Sequence, residues 1–265
     1  DMTWNRVMGG LLLGLGLLAG SAQAEVQTRA VAYEDQGEPL TGHLYWDDSV
    51  SGKRPGVMVI HEWWGLDDYA QRRARMLAEL GYVAFAADMY GGGRVTDQPD
   101  QAREWMQEVT ADVEGWRERA ELGMTQLKAS AMVDTERIAA IGYCFGGGTV
   151  LQMAYGGTSA KGVVSFHGSL PAAPEEAQGK VGARILAFHG YADGFVAPEV
   201  VAKFKEKLEV SGADWEFVAY GGDVRHGFTN PGAGNYGIDD LKYDAQADFD
   251  SWQRMQAFFS DLFAQ

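Results

Sequence analysis

The chain has 265 residues, a formal net charge of −15, and a composition that is 46% hydrophobic and 12% aromatic. That apolar share can build a large core and excludes a disordered composition. The acidic balance argues against nucleic acid or anionic lipid as a partner, since both call for a basic face, and the length suits a single α/β domain.

In chain order, Arg6 leads into the apolar run "VMGGLLLGLGLLAG", followed by "SAQA". A basic start, an apolar stretch and a small-residue site at Ala22-Gln23-Ala24 are the parts of a secretory signal. The run is shorter than the ~20 residues that cross a bilayer. Residues 1–24 are therefore expected to be a signal peptide, with a membrane-anchoring helix as the alternative. Residues 25–265 are expected to be one domain, exported to the periplasm or secreted, with no stable membrane insertion after processing. Residues 1–24 hold one Asp and one Arg, so their removal leaves the charge at −15.

Beyond residue 25 the pattern alternates. "VQTRAVAYED" and "LTGHLYWD" read as two strands joined by "QGEP". "PGVMVIHE" reads as a buried strand, "DDYAQRRARMLAELG" as a helix starting at Asp67 or Asp68 and closed by Gly81, and "YVAFAADMY" as a strand. Residues 97–132 read as helical with a break near Gly115. "RIAAIGY", "GVVSFHG", "ARILAFHG" and "DWEFVAY" are further strands, separated by helices over 146–156 and in "PEVVAKFKEKLEVSG", the latter closed by Gly212. Leu241, Ala245, Phe249, Trp252, Phe259 and Phe263 mark an apolar stripe on a last helix. Strands alternating with helices predict a mostly parallel sheet covered on both faces. Ligands in such folds bind beyond the carboxyl ends of the strands.

Three residues with nucleophilic or proton-transfer chemistry fall at those ends. Cys144, the chain's one cysteine, sits in "GYCFGGG" where a strand runs into a helix; Asp193 follows a second strand and His226 a third. Nucleophile, acid, histidine is the chain order of the α/β-hydrolase triad. A thiol is mostly protonated at neutral pH and needs a base or a positive potential to act. His226 would take its proton, Asp193 would fix the imidazole tautomer, and the helix N-terminus after the turn would favour the thiolate. The N–H groups of Phe145 and Trp63 are the expected oxyanion donors. Trp63, Trp64, Tyr90 and Tyr143 are candidates for lining an apolar substrate pocket, with core packing as the alternative. His43, His61, His167 and His189 read as structural or lining residues. "HEWWG" is not a zinc motif, because Gly65 stands where a second histidine is needed, so neither metal nor cofactor is expected.

"HEWWGL", "GYCFGG", "HGYAD" and "HGFTNP" together resemble the dienelactone hydrolase family from about residue 27 to the C-terminus. The cysteine at the turn is the specific feature. The resemblance implies an α/β-hydrolase fold, a Cys144–His226–Asp193 triad, and a glutamate, Glu62, that contacts the thiol and receives its proton when substrate binds. It also implies a cyclic substrate whose carboxylate is held by arginines, with Arg94 as the counterpart of one. Asn230 stands where a second would be expected, and Arg225 adjoins His226. The expected activity is cofactor-independent hydrolysis of a small ester or lactone through an acyl-thioester. The alternatives are a thiol acyltransferase or peptidase-like hydrolase with the same triad, and a non-catalytic binding protein on the same fold.

Overall fold

Eight strands form one sheet in the order β1-β2-β4-β3-β5-β6-β7-β8 in a computed structural model that describes residues 25–264. The expected signal segment therefore lies outside the described residues. β1 (Val26–Asp35) and β2 (Glu38–Asp47) form a hairpin, closed by Gln36 and Gly37, both at positive φ. β2 also runs antiparallel to β4 (Val83–Ala87). β3 (Arg54–Ile60), β4, β5 (Val133–Tyr143), β6 (Gly162–Phe166), β7 (Arg184–Gly190) and β8 (Trp215–Tyr220) are mutually parallel. All eight expected strands form, and the mostly parallel α/β sheet is the one that the alternation of elements predicts.

Period-2 alternation sends each central strand's side chains to two separate cores. Met58, Ile60, Phe85, Ile138 and Ala140 belong to one, and Val57, Val59, Ala84, Ala139 and Ile141 to the other. α1 (Asp68–Glu79) and α6 (Ala245–Phe263) cover the second core. α2 (Pro99–Thr110), α3 (Val113–Lys128), α4 (Phe145–Tyr155) and α5 (Pro198–Ser211) cover the first. α1 starts where the Asp67 side chain accepts the Ala70 N–H, and it buries Ala70, Ala74, Leu77 and Ala78 at helical spacing. α5 closes on Gly212, whose φ of 74° is the left-handed conformation glycine adopts without strain.

Two expectations are corrected. The break in the 97–132 helical region falls at Ala111–Asp112, where the Asp112 side chain caps α3 by accepting the Glu114 N–H. Gly115 lies inside α3, tolerated in its first turn. The stripe of α6 runs through Ala247, Ser251, Trp252, Met255, Phe258, Phe259, Leu262 and Phe263. Phe249 is 69% exposed, and Leu241 precedes the helix altogether.

Candidate active site

β5 ends at Tyr143 and α4 begins at Phe145, so the whole turn is made at Cys144. Its backbone has φ 56° and ψ −118°, a conformation that a residue with a Cβ adopts only under strain. Surrounding bonds hold it there. The Cys144 N–H donates to the Phe166 carbonyl at 3.0 Å, and the Cys144 carbonyl accepts from Gly147 at 3.0 Å and from Gly148 and Ser169 at 3.3 Å. Close approach explains two of the glycines. A Cβ on Gly142 would strike the Gly146 carbonyl, and one on Gly146 would strike the Ile60 carbonyl of β3. The sulfur is thereby presented at the carboxyl edge of the sheet.

His226 and Asp193 come from the loops after β8 and β7. His226 Nδ1 and Asp193 Oδ2 are 2.7 Å apart, both residues are buried, and Asp193 Oδ1 accepts the Phe195 N–H at 2.8 Å. Burial alone would lower the pKa of His226. Attraction to the Cys144 sulfur and the bond to Asp193 outweigh that and raise it well above its ordinary value. Cys144 and His226 line one cavity of about 180 Å3 with Trp63, Phe145, Phe195 and Leu241. Its other lining residues are Met106, Ser169 and Val196, so no cationic side chain besides the histidine faces it. Neither the Phe145 nor the Trp63 backbone N–H has an acceptor among the described residues, and both residues line the cavity with Cys144.

Glu62 is 4% exposed, and its Oε1 accepts the Asn230 amide N–H at 2.7 Å. The Asn230 amide is oriented by its own Oδ1, which accepts the Gly232 N–H at 2.8 Å. Burial, with the Asp67 charge adding to it, pushes the Glu62 carboxyl up to about 7 against the pull of Asn230, His226 and Arg73. No hydrogen bond joins Glu62 to the thiol among the described residues; its partner is the asparagine that stands in place of the expected arginine.

The remaining sequence candidates scatter. Tyr90 is fully buried and stacks on Phe145 at 5.7 Å, near enough to Cys144 for the two to interact electrostatically. Trp64 stacks on Tyr236 at 3.8 Å, outside the cavity lining. Tyr143 packs on Phe166 in the core on the opposite sheet face. Arg94 is not brought to the sulfur. It lies over the Trp105 ring at 4.9 Å, donates to the Tyr90 and Gly91 carbonyls, and lines a different cavity with Asp35, Glu38 and Arg119. Arg225 pairs with Asp223 at 2.8 Å and donates to the Asp239 carbonyl. His61 is structural: Nε2 accepts the Met89 N–H at 3.1 Å, so Nδ1 carries the proton given to the Glu62 carbonyl.

Two supports had no distinct sequence signal. The fully buried Asp88 carboxylate accepts N–H bonds from Thr41, Tyr90, Gly91 and Gly93 at 2.9–3.1 Å and sets the loop that carries Tyr90. The loop bearing His226 is tied to α1 and α6 by a buried polar chain. Thr229 Oγ1 lies 2.7 Å from His167 Nε2 and 2.6 Å from the Tyr69 hydroxyl. The Arg73 guanidinium donates to that hydroxyl at 3.1 Å, to the Thr229 carbonyl at 2.7 Å and to Asp248 at 2.5 Å. His167 itself stands edge-on to His226, with ring centroids 5.4 Å apart.

The sequence model of the dienelactone hydrolase family matches residues 40–263. A Yersinia pestis protein carrying the provisional name carboxymethylenebutenolidase is 26% identical over 236 residues, 85% of each chain. Among solved structures, a dienelactone hydrolase-like promiscuous phosphotriesterase from metagenomic libraries, P91, superposes with a TM-score of 0.86 at 38% identity, covering 91% of this chain and 99% of that one. Another, m3DLH, gives the same TM-score and identity over 89% of this chain and 98% of that one.

Proposed function

Because the chain belongs to the dienelactone hydrolase family, and is a hydrolase of that type, we propose that it cleaves small uncharged esters and lactones through a Cys144–His226–Asp193 triad. Cys144 Sγ attacks the carbonyl while the imidazole of His226 holds the thiol proton. The resulting oxyanion is met by the Phe145 and Trp63 N–H groups, each such donor being worth about 10²–10³ in rate. The tetrahedral species collapses, His226 protonates the leaving alkoxide, and an acyl-thioester remains on Cys144. His226 then deprotonates water, which attacks the thioester; the carboxylic acid leaves and the thiol is restored. Asp193 holds the imidazole in the tautomer that exposes Nε2.

The observation that carries this reading is the strained Cys144 turn, which shares one small cavity with an imidazole 2.7 Å from a buried carboxylate. The uncharged substrate follows from the lining. Arg94 and Arg225 are engaged elsewhere, Asn230 donates to Glu62, and Arg103, over the Trp63 ring, pairs with Asp100 outside the lining, so among the described residues a carboxylate inside the cavity would meet no cation but the imidazole. An apolar cavity with two free N–H donors also suits a neutral phosphotriester. The likeness to P91, a promiscuous phosphotriesterase 38% identical to this chain, favours that second substrate class.

The test is a panel of aryl acetates, small lactones and an aryl dialkyl phosphate, each with a carboxylate-bearing analogue, assayed on the wild type and Cys144→Ala. Turnover of the neutral compounds that is lost in Cys144→Ala is expected. Equal rates in both proteins would end the reading, and preference for the carboxylate-bearing analogues would end the uncharged-substrate part of it. Export belongs to the same proposal and rests on the segment from Arg6 to Ala24. Cell fractionation with N-terminal sequencing should find a mature protein that begins at Glu25.

A further inference from the structure

Behind Asp193, on the side away from the thiol, a second cleft of about 320 Å3 opens between β7, β8 and α5. His189, Tyr191, Val196, Lys205 and Phe217 are among its lining residues; Val196 is common to the catalytic cavity, while Cys144 and His226 are absent from the lining. Asp193 also borders the cleft, but its side chain has no exposed surface and both its oxygens are taken, by His226 and by the Phe195 N–H.

Three features of this cleft are unusual for a chain of net charge −15. The Lys205 ammonium lies 4.3 Å above the Phe217 ring and forms no salt bridge among the described residues. His189 is only 6% exposed, its Nδ1 is buried without a partner, and its Nε2 makes no hydrogen bond among the described residues. Tyr191 stands 75% exposed at the rim. A buried polar group without a partner is costly and is normally satisfied by something. Here the buried unpartnered group is the His189 imidazole, and beside it a half-buried, unpaired Lys205 ammonium stands over an aromatic floor.

We propose that this cleft is a binding site for small aryl carboxylates, with the carboxylate between Lys205 and His189 and the aryl group against Phe217 and Val196. An ammonium–carboxylate contact is a charge-assisted bond, here made by a half-buried lysine, and the neighbouring aromatic surface selects for a ring. The His189 imidazole is held neutral by burial, opposed by the Asp193 charge and reinforced by His226 and Lys205. It can therefore accept or donate one hydrogen bond without bringing a charge of its own. The site needs no turnover at Cys144, so it stands or falls apart from the hydrolytic reading.

The experiment uses protein whose Cys144 has been alkylated with iodoacetamide, which blocks the catalytic cavity. Calorimetric titration with 3-phenylpropionate should show saturable one-to-one binding. Affinity should fall by about tenfold or more for the neutral 3-phenylpropionamide and in Lys205→Gln, as expected for loss of a charged hydrogen bond. Ala202→Phe, at an exposed position of the lining, should block binding by filling the cleft and leave the lysine in place. Absence of binding, undiminished affinity in Lys205→Gln or in Ala202→Phe, or binding seen only before alkylation would each overturn the proposal.

Discussion

Replacing Glu62 with glutamine keeps the side chain's shape and its acceptor for the Asn230 amide but removes the ionisation. In the folded protein the carboxyl is raised from its ordinary 4.5 to about 7, chiefly by burial. At about 1.4 kcal/mol per pH unit, that displacement corresponds to about 3 kcal/mol of preference for the protonated form. A raised carboxyl favours folding below its unfolded value, and that contribution is lost as pH climbs through the folded value. Wild type should therefore lose stability between pH 5 and pH 8 by about 2–3 kcal/mol more than Glu62→Gln does. Urea denaturation at the two pH values measures the difference directly from the midpoints and slopes. If the two proteins keep a constant stability difference from pH 5 to pH 8, the carboxylate is not held in a desolvated site.

Three further outcomes follow from the geometry. Cys144→Gly should abolish hydrolysis yet raise the thermal midpoint, because relieving the positive φ of 56° is worth about 1 kcal/mol or more; a lower midpoint would show that the turn is not strained. Thr229→Val removes the hydroxyl shared by Tyr69 and His167 and should cost about 1–3 kcal/mol of stability. It should lower kcat with KM unchanged, since Thr229 is absent from the cavity lining; steady-state kinetics that show the reverse would count against the chain as a support for His226. Gly146→Ala should destabilise the protein by about 1–3 kcal/mol, because its new methyl meets backbone carbonyls of Ile60 and His61 that cannot yield; a denaturation curve matching wild type would contradict that close approach.

What the sequence made legible was whatever is local or periodic. Buried strands announce themselves as short apolar runs, and a nucleophile, an acid and a histidine after three different strands must meet at one edge of a parallel sheet. Capping was harder to read. Gly115 looked like the break in the 97–132 region, whereas a glycine in a first turn is tolerated and the Asp112 side chain sets the boundary. Phe249 fits an apolar stripe by spacing, but the packed face of α6 is centred on Trp252, Met255 and Phe259, which turns residue 249 to solvent. Long-range polar pairing was out of reach. Arg73 meets the Thr229 carbonyl across 156 positions, and Asn230 meets Glu62 across 168. No pattern in the sequence tells where a loop arginine such as Arg94 points once Trp105 and Glu38 compete for it.

Trapping the acyl group tests the central claim most directly. Wild-type protein and His226→Gln, which lacks the proposed base, are mixed with an activated aryl acetate, quenched in acid and digested for mass spectrometry. The mechanism predicts an acetyl group on the peptide containing Cys144 that turns over in wild type, forms more slowly but persists once formed in His226→Gln, and is absent from that peptide in Cys144→Ala, which should not turn over. Hydrolysis that continues undiminished in Cys144→Ala, with no adduct on the wild-type peptide, would contradict it.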